Sequence, residues 1–159
     1  FQEQYSLGER FPLFFALFAL SIGLASFINA RLVLRFGMRF LVWWSLIAIL
    51  GLSVVALGIG IITSGQLPLL ILVIYLLFTF FSVGILFGNK NSLAMESLGH
   101  LAGIGAAVVG SLSTLISIPL GILIGRSYNG TAIPLILGMA VLSGLSIIVV
   151  RWTALSPPK

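Results

Sequence analysis

Five apolar stretches, each about as long as a bilayer is thick, are separated and flanked by short segments that hold all of the charge, and this alternation governs what the chain can become. They are residues 12–30, 41–63, 67–88, 101–125 and 132–150, and none contains Asp, Glu, Lys or Arg. A hydrocarbon core about 30 Å thick is crossed by roughly 20 helical residues. Lipid offers no partner to a bare backbone N–H or C=O, so apolar runs of this length must be helices rather than barrel strands. Of the 159 residues 60% are hydrophobic and 7% charged, against about a quarter charged in a soluble domain. A soluble fold is excluded. The expected fold is an all-α, polytopic transmembrane helix bundle embedded in a lipid bilayer, with residues 1–11 as an outer polar segment, residues 12–155 as the bundle and residues 156–159 as a cytoplasmic tail.

The formal charge of +5 does not point to nucleic acid, because the basic residues fall one to three per loop rather than on one continuous face. Topology accounts for them. Arg31, Arg35, Arg39, Lys90, Arg151 and Lys159 lie on one side, Arg10 and Arg126 on the other, and the positive-inside rule makes the richer side cytoplasmic. The N-terminal segment then lies outside and the C-terminus inside. Residues 1–11, with Glu3, Glu9 and Arg10, lack the basic and apolar regions of a signal peptide. An outside N-terminus with neither signal nor preceding span is expected of a fragment whose upstream helix has been cut away; the alternative is a complete five-helix protein whose first span exports its own N-terminus. Two basic inner loops recur roughly 55 residues apart, which suggests a repeated three-helix unit. No cysteine is present, so disulfides, thiolate chemistry and cysteine metal sites are ruled out.

Arg31, Arg35 and Arg39 bracket Gly37 in what reads as a tight inner loop. Gly37 can take a positive φ at no Cβ penalty and reverse the chain between two helices. The arginines then serve either as a plain topogenic loop or as partners for helix carbonyls and a carboxylate. Glu96, the one acidic residue beyond the N-terminal segment, lies on the same face. It could latch one helix pair to another through Arg35 or Arg39 and open with transport, or stand as a solvated carboxylate whose ion pair is worth no more than about 1 kcal/mol. His100, the sole histidine, could in principle relay protons, as its residue type does near neutral pH, although its place at a helix entrance rather than in mid-membrane favours a plain loop residue. No metal site is expected, since Glu96 and His100 cannot complete one.

In the fourth span Gly103, Ala107, Gly110, Ser111, Thr114, Ser117 and Gly121 recur at three or four residues and mark a small-residue face that packs or lines a cavity. Pro119 in the same span removes a backbone hydrogen bond and is expected to bend the helix. Phe18, Ser21, Ser82, Asn89 and Ser113 are candidates for a substrate cavity, which is mostly apolar with few polar groups; lipid-facing bulk is the other reading of the aromatic residues. Trp43 and Trp44 read as interfacial anchors. Asn129-Gly130-Thr131 is formally a glycosylation sequon in a very short loop.

Taken together, Tyr5-Ser6-Leu7-Gly8 before Phe14-Phe15-Ala16-Leu17-Phe18, then Asn29-Ala30-Arg31-Leu32 and Arg35-Phe36-Gly37, then Gly88-Asn89 through Ala94-Met95-Glu96, Gly99-His100, Ala102-Gly103 and Gly110-Ser111, carry a resemblance. The chain resembles the C-terminal half of a major facilitator superfamily transporter, and more narrowly the bicyclomycin-resistance (Bcr/CflA) type of bacterial drug-efflux protein. The resemblance implies that the five spans are the last five of twelve, that the missing N-terminal half is the partner, and that the protein lies in the bacterial cytoplasmic (inner) membrane. It implies export of small amphipathic drugs or metabolites in exchange for protons, by two halves rocking about a midplane cavity. Arg35, Gly37 and Arg39 match the family's inner-loop motif, whereas Ala30 and Leu34 stand where it has Gly and Asp. No Asp, Glu or Lys lies inside a span, so the proton-coupling carboxylate is expected elsewhere in the transporter. Alternatives are an importer or facilitator of small polar solutes, and a non-transporting membrane anchor or assembly subunit. No cofactor is implied, and no nucleophile–base pair or carboxylate pair in the spans suggests an enzyme.

Overall fold

The computed structural model describes residue 5, residues 8–96 and residues 102–155. The described residues form helices joined by short turns and contain no strand. A single 3-10 turn, Gly8–Arg10, leads into α1 (Phe11–Phe36), followed by α2 (Met38–Ile62), α3 (Leu69–Glu96), α4 (Ala102–Arg126) and α5 (Ile133–Leu155). All five helices are long and apolar enough to cross a membrane. His100 and the tail at residues 156–159 lie outside the described residues, as do residues 1–4, 6–7 and 97–99 and Leu101.

Local chemistry explains where the helices begin and end. Pro12 stands in the first turn of α1, where its missing N–H costs nothing. Gly37, at φ 79° and ψ 157°, separates α1 from α2 while its N–H donates to the Val33 carbonyl at 2.9 Å. At the far end of α2, Gly65 N–H donates to Gly60 O at 2.7 Å and Ser64 N–H to Ile61 O at 3.3 Å. This is a Schellman closure, with Ser64 at φ 52° in the left-handed place glycine usually takes. Before α5, Asn129 Oδ1 accepts from Thr131 Oγ1 at 2.7 Å, and Thr131 Oγ1 accepts from Ile133 N–H at 3.3 Å. The sequon residues thus form the cap of a helix.

Three helices outrun the apolar spans by several residues at their C-terminal ends, α5 through Arg151 to Leu155 among them. α1 continues through Arg31 and Arg35 to Phe36, and α3 through Asn89 and Lys90 to Glu96, so the expected basic inner loop shrinks to Gly37 alone. Leaving lipid does not oblige a chain to leave the helix. Arginine and lysine stems lie along the apolar surface while their charges reach water, and the intrahelical hydrogen bonds remain the best use of the backbone. α4 likewise runs unbroken through Pro119.

α3 is the centre of the bundle, packed against α1 on one side and α2 on the other, while α2 also packs on α5. Phe18, Ala56, Leu72, Tyr75, Leu76 and Ile136 form the main core, and Ala25, Leu41 and Ile85 a smaller one towards the arginine-rich end. The α1–α3 seam is tight at Gly84, where an added Cβ would stand 2.8 Å from the Ala25 Cβ and 3.0 Å from the Ile22 carbonyl oxygen. Only the absence of a side chain lets the two backbones approach so nearly. α4 is the outlier, making sparse contacts with α5 and α3, and only Gly105 is buried along residues 103–126.

Candidate functional site

The charged residues singled out by sequence divide into two groups. Arg31 and Arg35 fold back on their own helix end: the Arg31 guanidinium lies 5.4 Å from the Phe27 ring centroid and that of Arg35 5.4 Å from Phe36. Arg39, in the first turn of α2, joins Glu96 from the end of α3 on the wall of a cavity of about 560 Å³. Lys90 from α3 and Val150 and Thr153 from α5 complete that wall, together with Phe40, Val42, Trp43 and Leu93. The helix packing explains the convergence: α2 lies between α3 and α5, and the first turn of α2 sits level with the last turns of the other two.

This cavity has a definite polarity. Arg39, Lys90, Glu96 and Thr153 are exposed at its rim, whereas Trp43, Leu93 and Val150 are half-buried and Val42 is buried. Among the described residues no group lies within ion-pair distance of Glu96, so Glu96 and Arg39 share the cavity without being latched to each other. Thr153 Oγ1 donates to Val149 O at 3.1 Å and Val150 O at 3.0 Å. Its own lone pairs stay available to a donor. Two cations facing one carboxylate across an apolar floor can bind a group that carries both an anion and a greasy body, or form an ion pair between α2 and α3 after a small movement. Gly37 sits immediately before this wall, and His100 falls outside the described residues.

The five substrate-cavity candidates take other positions. Phe18 is buried with its ring 5.5 Å from that of Phe80. Ser21 Oγ donates to Leu77 O at 2.8 Å, and Ser82 Oγ to Phe78 O at 2.9 Å. Asn89 is 2% exposed and donates to Asn29 Oδ1 at 2.6 Å and to Ile85 O at 2.8 Å. Phe18, Ser21 and Asn89 belong to the α1–α3 seam, and Ser82 is buried on α3 beside it. Ser113, half-buried on α4, accepts at its carbonyl from Ser117 Oγ at 2.6 Å. None of the five lines this cavity or a second, apolar groove of about 420 Å³ between α4 and α5, walled by Leu120, Ile124, Pro134, Leu137 and Val141.

The sequence marks Lys90 as a loop cation and Trp43 as an interfacial anchor, and nothing in their spacing assigns them to one cavity. Val150 and Thr153 carry no sequence signal, since only the packing of α5 on α2 brings them there. Among the described residues no cluster of His, Asp and Glu could hold a metal ion.

No family model, curated protein or solved structure matches this chain.

Proposed function

We propose that this chain is the C-terminal bundle of a secondary active transporter of the major facilitator type, exporting small amphipathic drugs or metabolites in exchange for protons by alternating access. The observation that carries the reading is α4. Its small-residue face, Gly103, Ala107, Gly110, Ser111, Thr114, Ser117 and Gly121, is exposed along its length, and nothing lies within 4 Å of where a Cβ would stand at Gly103, Gly110 or Gly121. In lipid such a face favours close approach of another helix, and a second bundle rocking against the first would supply it. The cavity between α2, α3 and α5 supports the same reading, because Arg39 and Glu96 stand on adjoining helices, unpaired with each other, where a charge pair could form in one state of the cycle and open in the other.

Cells carrying the gene are loaded with a fluorescent cationic dye and compared with a deletion strain. Deletion should raise dye accumulation, and Glu96→Lys should raise it nearly as far while membrane expression stays at the wild-type level. Equal dye levels in all three strains refute drug export. The small-residue face also suits an anchor that docks a partner complex. On that second reading dye levels stay constant, and Gly110→Leu releases the partner from the membrane fraction.

A further inference from the structure

We propose that the cavity between α2, α3 and α5 is a binding site for an anionic phospholipid, with the phosphodiester held between Arg39 and Lys90 and one acyl chain lying on Trp43, Leu93 and Val150. Two independent features place it at headgroup depth. The first is its own gradient, from exposed charges at the rim to half-buried apolar side chains below. A soluble anion would gain from Arg39 and Lys90 but nothing from Trp43, Leu93 and Val150, whereas an amphiphile gains from both. The second is an aromatic ladder across the α1–α2 junction, at the same end of the bundle. The Phe36 and Phe40 rings stack at 5.3 Å, and Phe40 and Trp44 follow at 5.9 Å. Phe40 and Trp44 are exposed, and an exposed tryptophan at the charged end of a span suits the level of the lipid headgroups.

Charge selects the lipid. Arg39 and Lys90 against Glu96 leave the wall with one net positive charge, and Arg31, Arg35 and Arg151 belong to the same end of the bundle. Each basic residue near an anionic leaflet adds to the attraction, so a zwitterionic lipid forfeits most of it. Glu96 accepts only, and takes a headgroup hydroxyl rather than the phosphate. The volume, about 560 Å³, falls within the roughly 300–1,000 Å³ of sites that hold a drug-sized group, so it takes the headgroup and the start of one acyl chain while the rest of the lipid stays in the bilayer. The site stands independently of the transport reading, since it needs only the membrane-crossing bundle.

The test is native mass spectrometry of the full-length protein in detergent, titrated separately with phosphatidylglycerol, phosphatidylcholine and water-soluble glycerophosphate. Phosphatidylglycerol should be retained at least about tenfold better than phosphatidylcholine. The double variant R39Q/K90Q should abolish that preference, and R126Q, at the opposite end, should keep it. In a parallel arm that needs no variant, a photoactivatable phosphatidylglycerol should crosslink the wild-type protein at residues 39–43, 90–96 or 150–153. Equal retention of the two lipids, a preference that survives R39Q/K90Q, glycerophosphate binding as tightly as the lipid, or crosslinks confined to other helices each overturns the proposal.

Discussion

Replacing Gly84 by alanine should loosen α1 from α3. The new methyl would meet the Ala25 Cβ at 2.8 Å, the Ile22 carbonyl oxygen at 3.0 Å and the Ile22 Cα at 3.3 Å. Two of these three are backbone atoms, which no rotamer change can move. The helices must therefore part by roughly 0.6 Å before the carbon–carbon contact reaches the ordinary range that starts at 3.4 Å. A gap of that size forfeits about a quarter to a half of the dispersion attraction along the seam, and it stretches the Ser21–Leu77 and Asn29–Asn89 hydrogen bonds as well. Overpacking of this kind costs about 1–3 kcal/mol; a central loss of about 2 kcal/mol lowers the folded-to-unfolded ratio roughly 30-fold. Gly51 is the control, since it is exposed on α2 with nothing within 4 Å of its missing Cβ, and alanine there should hold or gain up to about 1 kcal/mol. Dodecyl sulfate titration of the purified protein, followed by the fluorescence of its three tryptophans, gives the midpoints. G51A should match or exceed the wild type, and G84A should fall clearly below both. Coincident midpoints for G84A and the wild type would refute the close α1–α3 approach and the seam built on it.

The amide pair in the same seam should show coupling: N29A and N89A should each destabilise, and a double-mutant cycle should return about 0.6–1.7 kcal/mol of interaction, strictly additive losses being the refuting result. At the other end of the bundle Tyr5 donates its hydroxyl to Leu67 O, and partial burial holds its pKa above 10.0. A raised folded-state value means the contribution is complete below about pH 10 and is lost as pH rises through the folded pKa. Unfolding midpoints should therefore decline above pH 10 in the wild type and less so in Y5F, and parallel declines would dissociate Tyr5 from the effect.

The boundaries of the apolar runs and of the helices differ for an instructive reason. Hydropathy reports where lipid ends, and the helices end where the backbone finds a cap: Gly37 for α1, the Gly60–Gly65 closure for α2. At residues 31–36 and 89–96 the sequence turns polar while the helix continues, so the arginine segment read as a loop although its conformational break is one residue long. Gly37 itself was legible, because a glycine between two apolar spans answers a need for positive φ that no other residue meets as cheaply.

The candidate site was legible in part. Arg39 and Glu96 could be set on one side of the membrane from charge distribution, and the structure brings both to one cavity. Arg31 and Arg35 carry the same signal but lie against Phe27 and Phe36, a choice made by local side-chain geometry. The polar residues nominated for a cavity, Ser21, Ser82 and Asn89, instead satisfy their hydrogen bonds inside helices or across the α1–α3 seam. In an apolar sequence a hydroxyl or amide stands out equally whether it awaits a ligand or fastens two helices, because the cost of leaving it unpartnered is the same in both settings.

Helix number, helix type and the charged end of the bundle followed from the sequence alone, since bilayer thickness and the need to satisfy every backbone group leave a long apolar run one conformation. Which helices touch was decided by tertiary structure. With apolar side chains on every face, hydrophobicity cannot distinguish a lipid neighbour from a helix neighbour. Close fits such as Gly84 on Ala25, and the few polar bonds that span helices, choose α3 as the centre and leave the small-residue face of α4 open.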